Sequence, residues 1–279
     1  MSYKTILVHL DTSRRATQRL DLALKLAASH EAHLIALYAP FQPDAKSLYA
    51  MSMIQGFWEE KDQLRRTQRA VLEQQFREGL ARDGIAGEWR STNDYPNRVA
   101  PLHARHADLV IAGQFDVEDP DSFVAEKFCE NLVLSSGRPT LYVPYTGSFP
   151  SVGSRVMIGW DGSREATRAI HDALPVLRRA AHVSIVTINA LQNQDADTRI
   201  PGADIATVIA RHGIKVELVE IEGVAGLRLG ELLLSQASDL SADLIVTGAF
   251  AHARWQELVL GGVTRTLFNS MTVPVLMSH

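Results

Sequence analysis

The glycines in the last third of the chain are the residues best suited to hold a ligand. Gly248 ends the apolar run "DLIVTG", and Gly261 and Gly262 open the helical pattern "GVTRTLF". Glycine lets backbone N–H groups approach an anion closely, and a helix start offers unpaired N–H groups at the positive end of its dipole. A phosphate chain fits such a turn. Each charge-assisted hydrogen bond contributes about 1.5–3 kcal/mol, so three or four convergent amides support roughly micromolar binding without a lysine. The same spacing also fits a plainer role, in which Gly248 only ends a strand and Gly261-Gly262 only makes a tight turn. Asp161, followed by Gly162 and Ser163, has two readings as well: a turn or N-cap residue, and a carboxylate whose free oxygen meets a ribose or a base edge.

Other chemistries find less support. The chain has no G-x4-G-K-S/T run and no G-x-G-x-x-G run, so neither a P-loop ATPase nor a nicotinamide dehydrogenase is expected. Ser163 is not followed by the glycine of a hydrolase elbow and reads as a helix cap. His103 and His106 share a helix face without an acidic or Cys partner, which suits a solvated helix end better than a metal site. His252, just past Gly248, stands where a ligand mouth would be.

These residues sit in a sequence written twice. "TILVHLDTSRRATQRL" returns as "RVMIGWDGSREATRAI", with Asp11 answered by Asp161, 150 positions on; "HADLVIAGQFD" returns as "SADLIVTGAFA", with Gly113 answered by Gly248, 135 positions on. The first copy therefore holds about fifteen extra residues, within the segment 40–60. Short apolar runs alternate with amphipathic stretches in both copies. The fold class expected is α/β: two tandem, doubly wound, five-stranded parallel sheets, over 1–146 and 153–279, joined by the Gly/Ser/Pro-rich stretch 145–154. In such sheets ligands lie beyond the carboxyl ends of the strands, where the loops "DTS", "DGS", "AGQFD" and "TGAFA" fall.

The Gly248–Thr264 loop resembles the G-x2-G-x9-G-S/T signature of the universal stress protein family, and "GAFAHARWQELVLGGVTRTLF" resembles its form in tandem members. The resemblance implies strand order 3-2-1-4-5, adenine-nucleotide (ATP) binding in some members, and a role in stress survival. Carried over by position, Asp161 contacts the nucleoside, Gly162 and Ser163 line the same loop, and Ile188 flanks the base. Thr247 and Gly248 end the fourth strand, and Gly261, Gly262, Val263 and Thr264 surround the phosphates. Two positions depart from the signature: Ala251 replaces its second glycine, and Gly262 replaces the hydroxyl residue after the third. The first copy departs further, with Glu126, Lys127, Phe128 and Cys129 opposite residues 261–264 and Asp116 opposite Ala251. Its carboxylates would repel phosphate, so only the second copy is expected to bind ATP.

Bulk properties agree with a protein of this kind. With 46% hydrophobic and 22% charged residues and a net charge of −4, the 279-residue chain has no polyanion-binding bias, and nucleic acid is not an expected partner. Cys129 is the single cysteine and reads as a packing residue in a reducing compartment. No signal peptide and no membrane-spanning run are read, so a cytoplasmic location is expected. The inserted segment carries Tyr49, Met51, Met53, Phe57 and Trp58, apolar groups that would pack as a lid or at an interface. The expected function is regulatory: a stress-response protein acting on protein partners not identifiable from sequence. Its halves would pair about a pseudo-two-fold covering the strands "TLYVP" and "VPVLM", with a homodimer left open. Its rivals are a scaffold that binds no nucleotide and a weak ATP or adenylate hydrolase.

Overall fold

The computed structural model describes residues 2–41, 57–116, 118–119, 127–189, 202–222, 228–250 and 262–279. Two compact units are present, Ser2–Arg138 and Pro139–His279.

In the first unit β1 (Thr5–Leu10), β2 (His33–Tyr38), β3 (Gly87–Ser91) and β4 (Leu109–Gly113) alternate with α1 (Ala16–His30), α2 (Phe57–Asp83), α3 (Pro96–Ala104) and α4 (Phe128–Ser136). The strands run parallel in the order β3-β2-β1-β4. In β1 Ile6, Leu7 and Val8 are inaccessible to solvent, which is why this strand is continuously apolar rather than alternating.

The second unit contains β5 (Thr140–Val143), β6 (Arg155–Gly159), β7 (His182–Asn189), β8 (Glu217–Glu222), β9 (Leu244–Gly248) and β10 (Val275–Ser278). Its helices are α5 (Arg164–Leu177), α6 (Gly202–Arg211), α7 (Leu229–Asp239) and α8 (Gly262–Ser270). The order β8-β7-β6-β9-β10 is the 3-2-1-4-5 expected of this copy.

One pairing goes beyond the expectation of two five-stranded parallel sheets. β5, which falls within the unit Pro139–His279, pairs antiparallel with β10, Leu141 opposite Leu276. Both strands are fully buried apolar runs, and an open edge of that kind invites pairing. These are the two strands expected to cover each other. At the opposite end of each sheet the repeat uses one device twice. Asp108 accepts the backbone N–H groups of Lys4 and Thr5 at 2.8 and 3.0 Å, and Asp243 accepts those of Gly153, Ser154 and Arg155 at 2.9–3.1 Å.

Candidate functional site

The turn after β6 is organised by its own side chains. Asp161 Oδ1 accepts the N–H of Ser163 at 2.9 Å, Gly162 takes a φ of 76°, and Ser163 Oγ caps α5 by accepting the N–H of Ala166 at 3.1 Å. The turn reading of Asp161 is therefore correct, and the cap is Ser163. Asp161 is exposed.

Across the carboxyl ends of β6, β7 and β9 lies a cleft of about 300 Å³, within the range of small-molecule pockets. Seven of the expected residues line it: Asp161, Ile188, Thr247, Gly248, Gly262, Val263 and Thr264. Gly162 and Ser163 do not; they shape the turn beside the wall. Ala251 and Gly261, like His252 and most of the inserted segment, lie outside the described residues. The sequence reading missed Gly159, Trp160, Val186, Leu233 and Phe250, which make much of the wall, and Arg228 and Leu229 at the start of α7. Trp160 carries a buried Nε1 with no hydrogen-bond partner among the described residues.

Thr264, carried over as one of the residues around the phosphates, accepts the N–H of Phe250 on its Oγ1 at 3.2 Å, and Phe250 is held at a φ of 61°. The hydroxyl fixes the strand-end loop, and its own proton remains available. Gly248 has a steric reason to be glycine, because a β-carbon there would fall 2.5 Å from Ala166 N and 2.6 Å from the carbonyl carbon of Glu165. The start of α5 rests on this residue. Gly248→Ala should therefore push α5 away and cost about 1–3 kcal/mol of stability, read by urea denaturation.

The equivalent place in the first copy is filled. At 2% exposure, Arg19 donates from Nη2 to Asp11 Oδ1 at 2.8 Å and from Nε to the carbonyl of His9 at 2.8 Å. Its guanidinium lies on Gly113, where a β-carbon would fall 2.0 Å from Nη1. His9 packs against Phe128, ring centroids 4.6 Å apart, and against Phe41 at 5.6 Å. Matched through the repeat, His9, Arg19 and Phe128 stand where the second copy has Gly159, Ala169 and Val263. Three small residues leave a cleft; three large ones close it. Glu126, the acid expected to repel phosphate, lies outside the described residues, and filling by side chains is the physical reason the structure offers. Cys129 donates to the Gly113 carbonyl at 3.3 Å, and burial pushes its thiol up to about 12, so it is a packing residue and not a thiolate.

This cluster makes stability depend on pH. Burial lowers His9 to about 4, with Arg19 acting in the same direction against the pull of Asp11. Burial raises Asp11, but Arg19, His9 and the Ser13 hydrogen bonds outweigh it and hold the carboxyl below its ordinary value. Between pH 6.5 and 4 the unfolded chain binds a proton at His9 that the folded chain does not. Stability therefore falls as pH falls through this window, by roughly 3 kcal/mol at its lower end. The Asp11 contribution is lost only below its ordinary value. Urea denaturation at pH 7, 5.5 and 4.5 should show the first fall, and His9→Phe should flatten it.

Among the described residues no group of three or more His, Cys, Asp or Glu could hold a metal ion, and no helix is long and apolar enough to cross a membrane. Arg90 Nη1 lies 2.9 Å from His103 Nδ1, and burial, then Arg90, lowers the His103 pKa.

A 3-2-1-4-5 parallel sheet with a cleft at its carboxyl ends, between an Asp-Gly-Ser turn and a glycine-opened helix, defines a doubly wound α/β protein with a small-molecule pocket. Residues 154–279 match the model of the universal stress protein family. The universal stress protein Slr1230 of Synechocystis sp. is 26% identical over 148 residues, which are 53% of this chain and 49% of that one; the match thus spans about half of that curated relative. A universal stress protein from Archaeoglobus fulgidus superposes over 98% of this chain and 97% of its own, with a TM-score of 0.70 at 16% identity. A putative universal stress protein from Pseudomonas aeruginosa covers 98% and 92%, at 0.58 and 16%. At that identity the two structures speak for the fold. Residues 154–279 are thus the segment of this chain that carries the universal stress protein family pattern.

Proposed function

We propose that this chain is a tandem universal stress protein, with domains over 1–146 and 153–279, that acts in the stress response by binding an adenine nucleotide in its second domain. The observation that carries the reading is the cleft itself, whose lining combines the apolar Trp160, Val186, Ile188 and Leu233 with Asp161 and Gly262. An apolar slot suits a base, a carboxylate suits ribose hydroxyls, and an open helix start suits phosphate. Among the described residues nothing fills the space where a side chain at Gly262 would stand, which suits an anion at the start of α8.

The protein is regulatory in this reading. Among the described residues the cleft wall carries one carboxylate and no histidine or lysine, a poor set for acid–base chemistry. Nucleotide occupancy would be sensed by protein partners, with the first domain as a closed structural copy. A scaffold acting through protein contacts alone has Ala251 and the filled first copy in its favour. Calorimetric titration of ATP, ADP and AMP into the intact chain separates the readings. Saturable binding at one site without turnover supports the nucleotide sensor; no heat with any nucleotide supports the scaffold; sustained phosphate release supports an enzyme.

A further inference from the structure

Arg228 stands at the junction of two clefts. It lines the apolar one described above and also a second, of about 350 Å³, formed with Glu231, Gly262, Arg265, Thr266 and residues at the end of α8. Gly262 belongs to both as well, so the two spaces meet at the start of α8. Their chemistry is opposite. The second wall has no hydrocarbon side chain; it offers two guanidinium groups, hydroxyls and an amide against one carboxylate. That carboxylate is turned toward its own helix, where Glu231 Oε2 lies 3.4 Å from the Arg228 backbone N–H. Arg228 and Arg265 are both exposed and have no ion-pair partner among the described residues. Through the repeat, Arg265 is matched by Glu130 of the first copy, so the positive charge goes with the open cleft and is reversed beside the closed one.

We propose that Arg228 and Arg265 hold the anionic chain of a linear nucleoside polyphosphate, which enters the apolar cleft by its base and leaves it along α8. This rests on the nucleotide reading above and narrows it: the ligand is a nucleoside di- or triphosphate, selected over the nucleoside and over a cyclic monophosphate by charges beyond the first phosphate. Arginine suits this role because its guanidinium donates two parallel hydrogen bonds to phosphate oxygens.

The test is calorimetric titration of adenosine, cyclic AMP, ADP and ATP into the wild-type chain, Arg228→Gln, Arg265→Gln and the double variant. Both residues are exposed, so the variants keep the fold, which circular dichroism checks. Wild type should bind ATP at least about tenfold more tightly than adenosine or cyclic AMP. Each single variant should weaken ATP about tenfold, the double variant should lose the preference for ATP, and Arg265→Gln, which lies outside the apolar cleft, should leave adenosine affinity unchanged. Equal wild-type affinity for ATP and adenosine, or a double variant that still prefers ATP, overturns the assignment to these arginines and leaves the nucleotide site standing. A wild-type chain that binds none of the four compounds overturns both.

Discussion

Replacing Arg19 with alanine is expected to destabilise the first unit by about 3–5 kcal/mol, the range for removing one partner of a buried ion pair. Domains of this size are stable by about 5–15 kcal/mol in all, so the variant should be near unfolding. The loss is large because, among the described residues, the Asp11 carboxylate, 6% exposed, keeps Ser13 and a 3.9 Å approach from His9 Nδ1 to offset its charge. His9 should respond. With the guanidinium gone, Asp11 draws a proton onto the imidazole, so Arg19→Ala should lose less stability than wild type between pH 6.5 and 4. Removing the carboxylate together with its partner, as in Arg19→Ala/Asp11→Ala, should recover part of the loss. Urea denaturation read by fluorescence checks all three, and a cost below about 1 kcal/mol for Arg19→Ala would put the pair in the class of surface salt bridges.

Val263→Phe carries the largest effect expected on binding. It copies Phe128 into the second unit and sets a phenyl ring in the wall of the cleft, where a ligand would otherwise lie. Val263 is half-buried and faces open space, so the added ring meets no core and stability should stay within about 1 kcal/mol of wild type. ATP binding should fall below detection in calorimetry. Retention of wild-type affinity would mean that nucleotide, if bound, sits elsewhere.

Much of this was legible in the residues. The repeat fixed the order of elements because buried parallel strands read as unbroken apolar runs, and strand-end glycines and Asp161 mark the loops that strand polarity gathers at one end of a sheet. The apolar wall was not legible. Trp160, Val186 and Leu233 have the composition of core residues, and only topology turns one side of each toward an opening. Arg228 has no motif to mark it, and its place at the entrance of α7, which begins at Leu229, appears only in the structure. The closed first copy was hidden for a different reason. Arg19 sits on an amphipathic helix, where a solvated arginine is the ordinary expectation, and its pairing with Asp11 follows from the turn that brings α1 back over β1. A signal was present: reading the copies against each other gives His9 for Gly159, Arg19 for Ala169 and Phe128 for Val263, three changes of volume in one direction.

β5 teaches the complementary lesson. Its residues show that it is a buried strand, since Thr140, Leu141, Tyr142 and Val143 are all covered. They do not show which strand covers them. Pairing with β10 is a long-range choice made by two apolar strands of equal length, and the expectation that they are covered came from the resemblance to the family, not from local pattern.

The most direct test is a crystal structure of the intact chain grown with excess ATP. The account predicts nucleotide density in the cleft bounded by Gly159, Asp161, Ile188 and Val263, with Arg19 still seated between Asp11 and Gly113 in the first copy. Density displacing Arg19 while the second cleft stays empty would contradict it.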